Sequence, residues 1–253
     1  MFGFKKWRRK RLSEAEFPKE WLSIIERNVG YYNLLSGADR KELQRHIQIF
    51  IGEKRFEGCG GLKISDEMKV TIAAQACILL LHRKTDYYPG LSSILVYPQA
   101  YVAWRAEHEA AGVVAEGPEV RLGESWHRGA IVLSWDDVRR GAADISDGQN
   151  IVFHEFAHQL DSSAGKGDGT EVLRQRSNYI AWARVLQKDY EKLRRAVGRN
   201  QRTLLSGYGA TNPAEFFAVA TECFFERPKE MEKLHPELYN ELKMFYHQDP
   251  ARL

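Results

Sequence analysis

The chain has 253 residues, 43% of them hydrophobic, enough for a substantial core in one large domain or two small ones. Its 37 basic and 34 acidic residues leave a net charge of +3, too small to imply a nucleic-acid partner without a local patch. Cys59, Cys77 and Cys223 are far apart and form no C-x-x-C pair, which favours reduced thiols in a cytoplasmic protein over a disulfide framework. No stretch approaches the roughly 18 apolar residues of a membrane span.

The N-terminus, Met1 to Arg11, is basic, but Glu14, Glu16 and Glu20 follow where a signal peptide needs an apolar run. A basic tail over about 1–13, solvated or docked on its own domain, is the expectation, ahead of one that touches an anionic surface. Phe17, Trp21, Ile24 and Ile25 then carry helical spacing between about Glu14 and Val29. Leu43, Ile47 and Phe50 do the same within Asp39–Ile51. Ser65 caps a third helix reaching about Leu81, apolar nearly all round and therefore central. Ile94–Tyr97 and Ile131–Trp135 read as short strands, and the Gly-rich region from Glu107 to Gly129 as loop with one hairpin.

Downstream, Phe153 to Asp161 contains H-E-x-x-H. On a helix, His154 and His158 lie on one face and can bind one metal ion, with Glu155 beside the first ligand as a base. Zinc in such a site lowers the pKa of a coordinated water to about 7, which makes hydrolysis feasible near neutral pH. Ile151, Val152, Phe153, Phe156, Ala157 and Leu160 surround the motif, so the helix is buried and its polar residues need partners. Asp147 and Asn150 are candidate caps, and Gly165 lies past the expected end. A long charged helix over about Arg174–Val197, the segment from Asn212 to Glu226 and a last helix over Pro236–Tyr246 complete the chain.

A catalytic zinc takes three protein ligands. Asn212 caps and Pro213 opens a helix that places Glu215 and Glu222 near Ala218 and Val219 on one apolar face. Glu215 also fits a capping box with Asn212. Glu222 fits a ligand, a carboxylate that orients a ligand histidine, or a satisfied core acid. Spacing alone does not choose between Glu215 and Glu222.

Three segments together, HEFAHQLD from His154, NPAEFFAVATECFFE from Asn212 and GAIVLSWDDV from Gly129, resemble the Mlc titration factor A family of bacterial zinc metallopeptidases. The resemblance is sharpest from Ser125 to Glu226 and implies zinc, one ion per chain, on His154, His158 and Glu215, with Glu155 as general base. The family's catalytic domain is similar to that of anthrax lethal factor, which implies a transition-state role for a Tyr seven residues before the ligand Glu. Tyr208 stands there, between Gly207 and Gly209, whose freedom permits an unusual backbone path. The expected fold is α+β and mainly helical, a zincin-like domain with a small sheet. It covers 1–253 as one unit, with a helical part over about 14–90 and a catalytic core over about 91–253.

The expected function is a zinc peptidase acting on a peptide or protein, aminopeptidase-type by resemblance. The family name points to a second partner, the transcriptional repressor Mlc of sugar-uptake genes, and to a rival reading: a non-catalytic protein that sequesters it. No direct nucleic-acid contact is expected. Ile131–Trp135 is expected to be an edge strand along which an extended substrate lies.

Overall fold

The computed structural model describes residues 2–99, 101–108, 114–121, 123–126, 129–164 and 176–253. Helices dominate. Two of them, α1 (Phe2–Glu14) and α2 (Lys19–Asn28), precede α3 (Gly37–Glu53), strand β1 (Arg55–Gly58) and α4 (Asp66–Ile78). Strand β2 (Ser93–Tyr97) leads to a hairpin of β3 (Tyr101–His108) and β4 (Val114–Arg121), then to β5 (Gly123–Trp126) and β6 (Ala130–Ser134). The rest is helical: α5 (Trp135–Ala143), α6 (Ile151–Ala164), α7 (Arg176–Gly198), α8 (Pro213–Glu226), α9 (Pro228–Leu234) and α10 (Pro236–Tyr246).

The caps explain where several helices begin. The Ser36 Oγ accepts from the Asp39 N–H and the Ser65 Oγ from the Met68 N–H, as side-chain acceptors do for exposed first-turn donors. Helix α4 is the axis of the core: every residue from Val70 to Leu81 is buried. The basic N-terminal tail is the helix α1, docked on its own chain. Arg9 donates to both Glu53 carboxylate oxygens at 2.6 and 2.7 Å and to Asp86 at 2.5 Å.

The sheet runs β1-β2-β6-β5, with the first three strands parallel and β5 antiparallel to β6. This corrects the edge-strand expectation for Ile131–Trp135. The strand ends at Ser134 and is paired on both sides, Ile131 opposite Ile94 on β2 and opposite Ser125 on β5. The reversal into β6 turns on Gly129, at φ +80°. A Cβ there would lie 2.8 Å from the Gly90 carbonyl oxygen, so no other residue fits without a shift. Trp135 starts α5 instead of extending the strand, because the Ser134 Oγ accepts from the Asp137 N–H.

Candidate metal centre

Helix α6 starts where Asn150 caps it, its Oδ1 accepting from the N–H groups of Val152 and Phe153 at 3.1 and 3.0 Å. Of the two candidate caps, Asp147 instead accepts from the Gln149 N–H in the preceding turn. The Asn150 amide donates onward to the Gln75 Oε1 and the Gly141 carbonyl, tying α6 to α4 and α5. Phe153 and Phe156 bury the other faces of α6: Phe153 packs on Phe225, and Phe156 on Tyr88 and Phe50. Gly165 lies outside the described residues.

Opposite, Asn212 caps α8 by accepting from the Ala214 and Glu215 N–H groups, with Pro213 in the first helical position. The Glu215 carboxylate does not turn back to the cap. Its Oε2 lies 2.9 Å from the His154 Nε2 and 3.3 Å from the His158 Nε2. The two imidazoles stand 4.9 Å apart between centroids, nearly perpendicular. His154, His158 and Glu215 thus offer three ligand atoms within 4.8 Å of one another.

These residues fit a zinc-class ion. With bonds of 2.0–2.2 Å, ligand atoms around a tetrahedral zinc sit roughly 3.3–3.5 Å apart, so small shifts of the present 2.9 and 3.3 Å contacts suffice. The tautomer also fits. The His154 Nδ1 lies 2.6 Å from the Glu222 Oε1, which fixes that proton and turns Nε2 toward Glu215. Without a metal, Nε2 faces a carboxylate and keeps its proton. Burial opposes the imidazolium, but the bonds to Glu215 and Glu222 outweigh it and raise the His154 pKa to about 10. At Glu215 burial likewise works against the charge, and the two histidine donors still hold the carboxyl down at about 2. A divalent cation held there would replace the positive charge that those protons supply.

Glu222 stands on the other side of the His154 ring from Glu215. Besides His154, it accepts from the Asn150 N–H at 2.7 Å. One turn later Glu226, 5% exposed, accepts from the Gln149 N–H at 2.9 Å. Burial pushes the Glu226 carboxyl up to about 9. Sequence reasoning left Glu222 open and did not single out Glu226. The available signal was that Glu226 lies four residues after Glu222 on a helix that, apart from Glu215 and Thr221, is apolar.

Glu155 follows the first histidine on α6 and is buried. Tyr208 sits in a short 3-10 turn over Gly207–Ala210, exposed, its ring 5.9 Å from the His154 ring. The flanking glycines do not supply an unusual backbone path, for neither has positive φ. Gly209 is instead a close-approach residue: a Cβ there would lie 3.2 Å from the Leu193 Cδ2 and 3.3 Å from the Val219 Cβ. That contact seats the Tyr208 turn directly on α8.

The sequence matches the family model of the glucose-regulated metallopeptidases M90 over residues 4–247. It is 39% identical over 245 residues to a Synechocystis protein described as uncharacterised, covering 96% of this chain and 89% of that one. It is 34% identical over 247 residues to Mlc titration factor A of Serratia proteamaculans, covering 95% of this chain and 91% of that one. Mlc titration factor A of Yersinia pestis is 30% identical over 247 residues, covering 95% of this chain and 88% of that one. With two imidazoles and a carboxylate gathered on α6 and α8, and with matches that span nearly its whole length, the chain belongs to the glucose-regulated metallopeptidase family M90.

Proposed function

We propose that this chain is a zinc-dependent peptidase of the aminopeptidase type, in which His154, His158 and Glu215 hold one zinc ion, Glu155 is the general base and Tyr208 assists the transition state. The observation that carries this reading is the convergence of His154, His158 and Glu215 within 4.8 Å beside a second carboxylate that fixes the first imidazole. Bound zinc supplies Lewis acidity at the substrate carbonyl and acidifies water. Glu155 accepts the proton of the attacking water and returns it to the leaving amine. The Tyr208 phenol donates a hydrogen bond to the oxygen that gains charge as the carbonyl becomes tetrahedral. Glu222 keeps the His154 ring in place throughout.

The name of the Serratia and Yersinia relatives leads us to infer a protein partner as well, the repressor Mlc, and with it a cytoplasmic role in regulating sugar uptake. Among the described residues no helix is long and apolar enough to cross a membrane. We read 1–253 as one metallopeptidase domain, since a single apolar cluster runs from Ile25 through α4 and α6 to Ala251.

The decisive experiment pairs cleavage of a peptide library with Mlc binding, in wild type and in Glu155→Gln. The expected result is loss of cleavage in the variant with zinc content and Mlc binding intact. Equal cleavage by both removes Glu155 from catalysis. No cleavage by zinc-loaded wild type, with Mlc bound, leaves the non-catalytic sequestering reading.

A further inference from the structure

His82 follows the buried run of α4 with its backbone in the left-handed region, at φ +62°. Its imidazole is bracketed. The Nδ1 lies 3.1 Å from the carbonyl oxygen of His247, at the end of α10, and the Nε2 lies 2.7 Å from the Asp39 Oδ1 on α3. Neither a carbonyl nor a carboxylate donates a hydrogen bond. An imidazole with such acceptors on both nitrogens carries two protons, or one proton and a metal ion. His154 has the same arrangement, with Glu222 on Nδ1 and Glu215 on Nε2.

The likeness extends to the other donors. Asp39 is held by the Ser36 hydroxyl, which donates to its Oδ2 at 2.8 Å and leaves Oδ1 toward His82. Glu42 is one turn further along α3. Its Oε1 accepts from the His82 backbone N–H at 2.9 Å and lies 3.2 Å from the His46 Nε2. Ligand atoms of Asp39, Glu42 and His82 all fall within 4.8 Å of one another. The His82 side chain is 41% exposed, so water can fill the remaining coordination positions.

We propose that Asp39, Glu42 and His82 form a second divalent-metal site, sharing no ligand with the His154–His158–Glu215 centre. One imidazole and two carboxylates suit a borderline first-row ion such as zinc or manganese. The His247 carbonyl plays the part that Glu222 plays at the first centre: it keeps the proton on Nδ1 and leaves Nε2 to the ion. With an exposed histidine and a single nitrogen donor, this site binds more weakly than the first. Its role is mechanical, clasping the start of α3 to the turn after α4 and, through His247, to the end of α10.

Metal-free full-length protein is titrated with zinc, and bound metal is counted by elemental analysis after equilibrium dialysis. Wild type is expected to take two ions, the second at least tenfold more weakly. His82→Asn, whose side chain tolerates a left-handed backbone, and Asp39→Asn should each lose the weaker ion and keep the tighter one. Glu215→Gln should do the reverse. Circular dichroism melting confirms that each variant is folded, and either of the two site variants suffices. One ion in saturated wild type overturns the proposal. So does a second ion that persists in both His82→Asn and Asp39→Asn, since the network is then held by protons alone.

Discussion

The Nδ1 of His154 lies 2.6 Å from Glu222, and the same carboxylate receives the backbone N–H of Asn150 through its other oxygen. One side chain on α8 therefore fixes both the start of α6 and the ring that α6 presents. If Glu215 is a ligand and Glu222 its support, two substitutions separate. Glu215→Gln should abolish tight zinc binding. Glu222→Gln should keep zinc at the His154–His158–Glu215 centre with affinity weakened on the order of 10- to 100-fold. Zinc content and a competition titration distinguish them. Loss of metal in Glu222→Gln alone would reverse the assignment.

Tyr208→Phe removes a hydroxyl and little else. With Tyr208 acting only on the transition state, kcat and kcat/KM should fall together by about 10² to 10³ while KM stays put. Zinc measured in the same sample excludes metal loss as the cause. A near-normal kcat would return Tyr208 to a packing role.

Asn150→Ala should destabilise the fold by about 2–3 kcal/mol. The cap itself is worth about 1 kcal/mol, and the buried Gln75 Oε1 and Gly141 carbonyl each lose a donor. Urea unfolding of the metal-free protein reads this directly. A change under 0.5 kcal/mol would show that the network relaxes around the gap.

Burial raises the Glu226 carboxyl to about 9, so the folded chain holds a proton that the unfolded chain releases near 4.5. The stability tied to that proton is complete below the unfolded value and is lost as pH rises toward 9. Glu226→Gln keeps an acceptor for the Gln149 N–H and carries no titrating group. Its melting temperature, relative to wild type, should therefore rise between pH 5 and pH 8.5. A constant difference across that range would mean that Glu226 is ionised in the fold.

Much of this was legible in the residues, for reasons that also explain the failures. Helices α3, α4, α8 and α10 announce themselves through an apolar stripe and a cap or an N-terminal proline. Strand β1 has four residues and only Phe56 half-buried, which leaves no alternation to read. Helices α5 and α9 are nine and seven residues long, too short for periodicity to separate them from turns. Helix α1 has no apolar stripe at all, and its docking depends on ion pairs with Glu53 and Asp86 that only the folded chain assembles. The edge assignment of Ile131–Trp135 failed because a strand's neighbours are long-range facts: β5, its second partner, hid in a Gly-rich stretch. At the site, H-E-x-x-H named three residues outright. Spacing left Glu215 and Glu222 level, since one helical face carries both, and the resemblance alone pointed to Glu215; that Glu215 lies against both imidazoles and Glu222 against the His154 Nδ1 is visible only in the fold.

His158 and Glu215 meet across roughly sixty intervening positions, and closing a loop of that size grows costlier only slowly, by about 0.6 kcal/mol for each doubling of its length. The length of chain between α6 and α8 therefore adds little to the cost of bringing His158 to Glu215.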